Sequence, residues 1–322
     1  MNEKPVVLLT RRWPEKVESQ MAELFELRVN ASDLPMSDAQ LAQALLEVDI
    51  VCPTVTDKID GQMLSAANIR TRLLANFGVG FNHIDIAAAS RLGIRVTNTP
   101  GVLTDATAEI AMTLLLTSAR RTGEGERLVR SGGWDGWRPT HMLSTQVTGK
   151  TLGIIGMGRI GTALARQAHH GFGMPILYTS RNARPQSEEI ELGAWRCDID
   201  ELLQRSDFVS INCPATPETQ NLIDSDKLNL MQPHAHLINT ARGDIVNEAD
   251  LVAALGNGVI AGAGLDVFVD EPNVSHALMD LQQVVLLPHM GSGTLETREA
   301  MGMCALANIR AFLSEQPLPN LV

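Results

Sequence analysis

The sequence predicts an α/β protein of two domains, each built on a parallel sheet. Three observations lead there. Short β-branched apolar runs alternate with helical patterns along the whole chain, the mark of βαβ units. A length of 322 residues is too great for one ordinary domain and comfortable for two. A G-x-G-x-x-G passage between an apolar run and a helical pattern begins only at Gly156, whereas a single nucleotide-binding domain would carry it near the N-terminus.

Strands are read near Val6–Leu9, Ile50–Cys52, Leu73–Asn76, Thr151–Ile155, Ile176–Thr179, Phe208–Asn212, His236–Asn239, Ile260–Leu265 and Val284–Leu287. The roughly 150 residues ahead of the glycines need a domain of their own. A substrate domain is therefore expected first, with the cofactor domain inserted into it. Thr99–Arg121, opened by Pro100, is a long apolar helical pattern carrying Ala106, Ile110, Ala111, Leu114 and Leu115. It is expected to cross between the domains. It carries more apolar faces than one domain covers, which points to a two-fold symmetric homodimer built around it. A last helix, roughly Thr294–Leu313, is expected to return to the first domain.

Composition narrows the function. With 44% hydrophobic and 20% charged residues the chain is globular. A net charge of −11 argues against nucleic-acid and membrane partners, and it requires any acid-binding site to be locally basic. The opening MNEKPVVLLTRRW has a short apolar run and no small-residue cleavage site. It reads as a first strand, not a leader, so a cytoplasmic protein is expected. Cys52, Cys197, Cys213 and Cys304 lack metal-ligand spacing, so buried thiols and no metal are expected.

Four motifs carry chemistry. In Thr151-Leu-Gly-Ile-Ile-Gly-Met-Gly-Arg-Ile-Gly161, Gly156 permits a tight turn, Gly158 lets backbone approach a pyrophosphate and Gly161 lets the helix pack on the strand. The helix N-terminus then faces the phosphates. The next strand ends in Tyr178-Thr-Ser-Arg-Asn-Ala-Arg184. An NAD site usually has an acid here for the ribose 2′-hydroxyl. Ser180, Arg181 and Arg184 stand there instead and suit a 2′-phosphate, although they also suit an ordinary basic turn. Arg242, in Asn239-Thr-Ala-Arg-Gly-Asp244, lies at a strand's C-terminal edge, where its fork can hold a carboxylate; alone it equally suits a structural ion pair. Glu271 and His289 are 18 residues apart, each just after a strand, so they can meet at one edge. Histidine donates protons near neutral pH, and a carboxylate beside it orients the ring and favours the imidazolium.

Together these pieces resemble the D-isomer-specific 2-hydroxyacid dehydrogenase family over nearly the whole chain. The resemblance rests on Asn76-Phe-Gly-Val-Gly-Phe-Asn-His-Ile-Asp85, Asn98-Thr-Pro-Gly101, Thr107-Ala-Glu109, the glycine loop, Asn239-Thr-Ala-Arg-Gly243, the Glu271 motif and Pro288-His-Met-Gly291. Ser180 and Arg181, with Gly132-Gly-Trp-Asp-Gly-Trp-Arg-Pro139, look most like the glyoxylate/hydroxypyruvate reductase branch.

The resemblance implies two Rossmann/flavodoxin-like domains, 1–98 with 291–322 for substrate and 99–290 for dinucleotide, with the active site in the cleft between them. It implies that Arg242 binds the substrate's carboxylate and keto oxygen, that His289 is the acid/base and that Glu271 supports it. Asp266 would contact the nicotinamide carboxamide, and the backbone of Val79 and Gly80 the substrate carboxylate. The full cofactor set is Gly156, Gly158, Arg159, Ile160, Gly161, Ser180, Arg181, Arg184, Cys213, Pro214, Thr240 and Asp266, for NADP in preference to NAD. Trp137 would reach the partner subunit's substrate pocket. Glu271 stands where formate-oxidising members carry glutamine, which argues against that chemistry. Asn76-Phe77 departs from the small polar residue many members have, and so could alter the pocket. The expected reaction is reduction of a small 2-keto acid; a dehydrogenase for bulkier D-2-hydroxy acids and a dinucleotide-sensing binding protein are the alternatives.

Overall fold

The computed structural model describes residues 4–322; the first three residues of the opening segment, with the leader reading attached to them, lie outside the described residues. The chain divides into two compact units. One runs to Leu103 and resumes over Ser292–Val322; the other is Thr104–Gly291. The boundaries read from the sequence fall five residues earlier at the first crossing and one earlier at the second.

Among the described residues the first unit holds five parallel strands: β1 (Val6–Leu9), β2 (Glu26–Val29), β3 (Ile50–Cys52), β4 (Leu73–Ala75) and β5 (Arg95–Thr97), in the order β2-β1-β3-β4-β5. Every residue of β1, β3 and β4 is buried, as expected for a parallel sheet covered on both faces. The helix Leu295–Leu313 belongs to this unit. A Cβ at Gly302 would lie 2.7 Å from Val17, so glycine lets this helix press onto Glu15–Leu24.

The second unit holds seven parallel strands: β6 (Leu152–Ile155), β7 (Ile176–Thr179), β8 (Ala194–Arg196), β9 (Phe208–Ile211), β10 (His236–Asn239), β11 (Gly262–Leu265) and β12 (Val284–Leu286), in the order β12-β11-β10-β9-β6-β7-β8. Strand order reverses between β6 and β9. That reversal opens a crevice at the strands' carboxyl ends, where open α/β sheets bind ligands.

The long apolar helix differs from its sequence reading in three ways. It begins at Thr104, not Thr99, because Gly101 takes φ +88° and cannot continue a helix from Pro100. It lies in the second unit from its first residue instead of crossing between units. Its apolar faces are also covered at home: Ala108, Ala111, Leu114, Leu115 and Ala119 are buried, and the helix packs against Arg159–Phe172, β10 and β11. Ile110 and Leu116 are half-buried and pack against the same core, so the helix by itself does not demand a dimer. Exposed apolar residues do follow just beyond it, at Val129, Trp134, Trp137 and Leu143.

His236, the first residue of β10, is a structural histidine. Its Nδ1 pairs with the Ser118 hydroxyl at 2.8 Å, its ring stacks on Phe208, and burial pulls its pKa down to about 4. Among the described residues no helix is long and apolar enough to cross a membrane.

Candidate active site

The three glycines after β6 answer to three constraints. Gly156 leaves the strand at φ +99°, and a Cβ there would lie 2.5 Å from the Cys213 backbone nitrogen. The loops after β6 and β9 thus touch at the strand-order reversal, and no side chain fits between them. A Cβ on Gly161 would lie 2.3 Å from the Gly156 carbonyl oxygen, so only glycine lets the helix Arg159–Phe172 settle onto the turn. Gly158 is the opposite case: a Cβ there meets nothing within 4 Å.

Gly158 also heads the helix without any side-chain cap. The N–H groups of the first turn, which contains Arg159 and Ile160, therefore have no intrahelical partners. Thr240 Oγ1, after β10, and Asn212 Oδ1, after β9, are buried with no hydrogen-bond partner. An uncapped helix start, an open cradle at Gly158 and orphaned polar atoms at two adjoining strand ends fit a dinucleotide's diphosphate. Cys213 and Pro214 follow directly on Asn212 at the same edge.

At the end of β7 the site residues part company. The Ser180 hydroxyl donates to the Asn182 carbonyl, and Arg181 is exposed. Arg184 is turned aside: its Nε donates to Glu188 at 2.9 Å, and its backbone N–H donates to the Tyr178 hydroxyl at 2.8 Å. The sequence placed Arg184 with Arg181, but the structure commits it to a carboxylate. A residue the sequence reading missed stands nearby. Arg196, on edge strand β8, donates from Nη2 to the carbonyls of Ser180 at 2.9 Å and Arg181 at 3.2 Å. No motif signals it, because it acts through backbone.

His289, Glu271, Asp266 and Arg242 gather at the carboxyl ends of β10, β11 and β12. His289 takes φ +53°, a left-handed conformation unusual for a side chain of its size. Three contacts fix it. The Glu271 carboxylate meets ring Nδ1 at 2.7 Å and accepts the Phe268 N–H at 3.0 Å with its other oxygen. The fully buried Asp266 accepts the next two backbone N–H groups, Met290 at 2.6 Å and Gly291 at 2.8 Å. The Thr107 hydroxyl donates to the Gly291 carbonyl at 3.0 Å. Because the carboxylate accepts at Nδ1, that nitrogen carries a proton, and Nε2 is the atom that can give or take one.

Burial works to raise the Glu271 carboxyl. The hydrogen bond and charge of His289, the Phe268 N–H and the Arg242 charge outweigh it and hold the group below the usual carboxylate range. Burial pushes Asp266 upward, opposed by the Met290 N–H. Burial likewise draws Arg242 below its ordinary value, opposed by Glu271 and Asp244.

The Arg242 turn is clamped from two sides. The Asn239 side chain accepts the Ala241 N–H at 3.0 Å and donates to the Arg242 carbonyl at 2.8 Å. A Cβ on Gly243 would lie 2.0 Å from the Phe268 carbonyl carbon, so glycine alone lets this turn lie against the loop that carries Glu271. Arg242 Nη1 donates to the Ala241 carbonyl at 2.6 Å, which sets the direction of the guanidinium fork.

Val79 and Gly80 lie in the first unit, on the loop after β4. Phe77, which opens that loop, is buried with its ring centroid 4.5 Å from that of Trp13, and its N–H donates to the Pro53 carbonyl at 2.8 Å. Trp137 is 80% exposed on the segment after helix Thr122–Arg130.

Comparison with known proteins gives concordant findings. The family pattern described as "D-isomer specific 2-hydroxyacid dehydrogenase, NAD binding domain" matches residues 112–291. The glyoxylate reductase of Thermococcus litoralis is 46% identical over 99% of this chain and 97% of its own length. The NADPH-dependent glyoxylate/hydroxypyruvate reductase of Sinorhizobium meliloti, solved with NADP and malonate, superposes with a TM-score of 0.87 at 34% identity, covering 99% of this chain and 97% of that one. A glyoxylate reductase from Paecilomyes thermophila gives a TM-score of 0.87 at 31% identity, covering 100% of this chain and 99% of that one.

Proposed function

The chain belongs to the D-isomer specific 2-hydroxyacid dehydrogenase family, and we propose that within it the chain reduces glyoxylate and hydroxypyruvate, preferring NADPH over NADH, with His289 as the proton donor. The observation that carries this reading is the His289–Glu271 pair beside Arg242, at the same sheet edge as an uncapped helix that fits a diphosphate.

A nicotinamide dinucleotide held at the glycine turn would supply a hydride to C2 of the substrate. Arg242 holds the substrate carboxylate and keto oxygen by charge-assisted bonds, and the N–H groups of Val79 and Gly80 are assigned to the substrate carboxylate as well. His289 Nε2 would deliver a proton to the carbonyl oxygen as negative charge grows on it, so that carbonyl compound, hydride and proton together make the 2-hydroxy acid. Glu271 keeps Nδ1 protonated and steadies the imidazolium. Asp266 holds the backbone beside His289, and its carboxylate edge is assigned to the nicotinamide carboxamide.

Ser180 and Arg181 stand where an acid would select NAD, and their hydroxyl and guanidinium suit a 2′-phosphate. With Arg184 tied to Glu188, Arg181 carries the preference. The test is an oxidation assay with NADPH and NADH against a panel of 2-keto acids. NADPH is expected to give the higher kcat/KM, and Arg181→Ala to lose about tenfold with NADPH while NADH use stays nearly constant, the weight of one charged contact. Equal efficiency with both cofactors in the unmodified protein overturns the preference. Turnover of no 2-keto acid overturns the reaction.

The homodimer is proposed on the tryptophan segment read from the sequence, not on the long apolar helix. Helix Thr122–Arg130 buries none of its residues, and Val129, Trp134, Trp137 and Leu143 are exposed in close succession. Such a concentration of large apolar side chains marks an interaction surface. Trp137 is assigned to the partner's substrate pocket, where it would favour short polar acids. Trp137→Ala is expected to admit bulkier 2-keto acids with unchanged KM for NADPH. A monomer in sedimentation at micromolar concentration would count against it.

A further inference from the structure

Asn76, fully buried at the end of β4, uses every polar atom of its side chain. Its Nδ2 donates to the carbonyls of Gly78 at 3.1 Å and Gly80 at 3.0 Å, and its Oδ1 meets His83 Nε2 at 2.9 Å. The amide spends both hydrogens on carbonyls, so its oxygen accepts and His83 donates from Nε2. The carbonyl between those two, that of Val79, accepts from Asn98 Nδ2 at 2.9 Å. Two asparagines thus hold three successive carbonyls of the loop.

The peptide bonds here are trans, and a trans peptide points its N–H opposite to its C=O. Each carbonyl drawn toward an asparagine therefore turns the following N–H, on Val79, Gly80 or Phe81, away from it. Among the described residues none of these three N–H groups has a hydrogen-bond partner. A run of outward-turned, unpartnered N–H groups is an anion-binding arrangement.

We infer that Asn76, oriented by His83, is a positioning residue for the substrate carboxylate. It aims the N–H groups of Val79 and Phe81, while Asn98 aims that of Gly80. The inference rests on the reading that this loop takes the carboxylate of a 2-keto acid, and it assigns a task to the residue at which the loop departs from the commoner small polar side chain.

Asn76→Asp keeps an acceptor for His83 but removes both donors. It is expected to raise KM for glyoxylate by about tenfold, the weight of hydrogen bonds to an anion, with KM for NADPH within about twofold of its starting value. His83→Leu is expected to raise the same KM less, and His83→Gln, which keeps a side-chain N–H, to restore it. A glyoxylate KM that does not move in Asn76→Asp overturns the inference, as does an equal rise for both substrates. If Asn76→Asp does not fold, the His83 pair decides: equal behaviour of the leucine and glutamine variants overturns it. If the unmodified protein reduces no 2-keto acid, the functional reading fails separately. Calorimetric titration of oxalate onto NADP-loaded protein then decides: weaker binding in the Asn76 or His83→Leu variant supports the inference, and unchanged or absent binding overturns it.

Discussion

Replacing His289 by alanine is expected to lower kcat for glyoxylate reduction by about 100-fold or more, the usual scale of general acid catalysis. The position is also conformationally unusual, at φ +53°, so part of any loss could come from backbone. His289→Asn separates the two, because asparagine tolerates this conformation better than most residues yet cannot serve as a proton donor near neutral pH. Both variants are expected to lose kcat to a similar degree while KM for NADPH holds. Glu271→Gln removes a negative charge 2.7 Å from the ring. Ring Nδ1 then loses its charged acceptor and the ring its fixed orientation, so kcat should fall while KM for NADPH holds. Initial rates of NADPH oxidation measure both effects. Near-unchanged turnover of either His289 variant at neutral pH would remove the residue from the chemistry.

The sequence made visible those parts of the molecule that a single side chain or a long apolar run announces. The buried central strands, such as β1 (VVLL), β6 (LGII), β9 (FVSI) and β10 (HLIN), each carry an adjacent pair of large apolar residues, and were legible for that reason. Strands β2, β5 and β8 were not read. They are sheet edges: ELRV exposes alternate side chains, AWR exposes two of its three, and RVT offers a single large apolar residue, so no apolar run marks them. The long apolar helix showed its composition but not its coverage. Leu114 nests where Gly264 leaves room on β11, a pairing of residues 150 apart that no local pattern encodes. In the site, Arg242, Glu271 and His289 were legible because each lies in the loop that follows a strand's carboxyl end. The supports were not. Thr107 gripping the Gly291 carbonyl, Asp266 taking two backbone N–H groups and Arg196 holding the carbonyls of Ser180 and Arg181 all act on main chain, which carries no sequence label. Asn76 belongs with them: its departure was legible, and its geometry was not.

Arg242→Lys is expected to lower kcat/KM for glyoxylate by about two to three decades, or roughly 3–4 kcal/mol of transition-state stabilisation. The substitution keeps the formal charge, so the size of the loss tests whether fork geometry matters. Guanidinium presents two parallel N–H groups to a carboxylate, and ammonium offers a single point charge. The surroundings sharpen the contrast. Burial already draws Arg242 below its ordinary value. A lysine, whose unperturbed pKa is about 10.4, has far less margin before the same burial neutralises it. The lysine would also give up the bond from Nη1 to the Ala241 carbonyl that sets the direction of the fork. KM for glyoxylate should rise and kcat should fall together, because the same fork meets the carboxylate in the ground state and the charge developing on the keto oxygen later. The turn itself should survive, since Asn239 and Gly243 clamp it without help from the arginine side chain. Unchanged KM for NADPH and an unshifted thermal midpoint would localise the defect to substrate. If the lysine variant instead kept kcat/KM within about fivefold of the unmodified protein, Arg242 would be acting through charge alone, and its bidentate role would be lost.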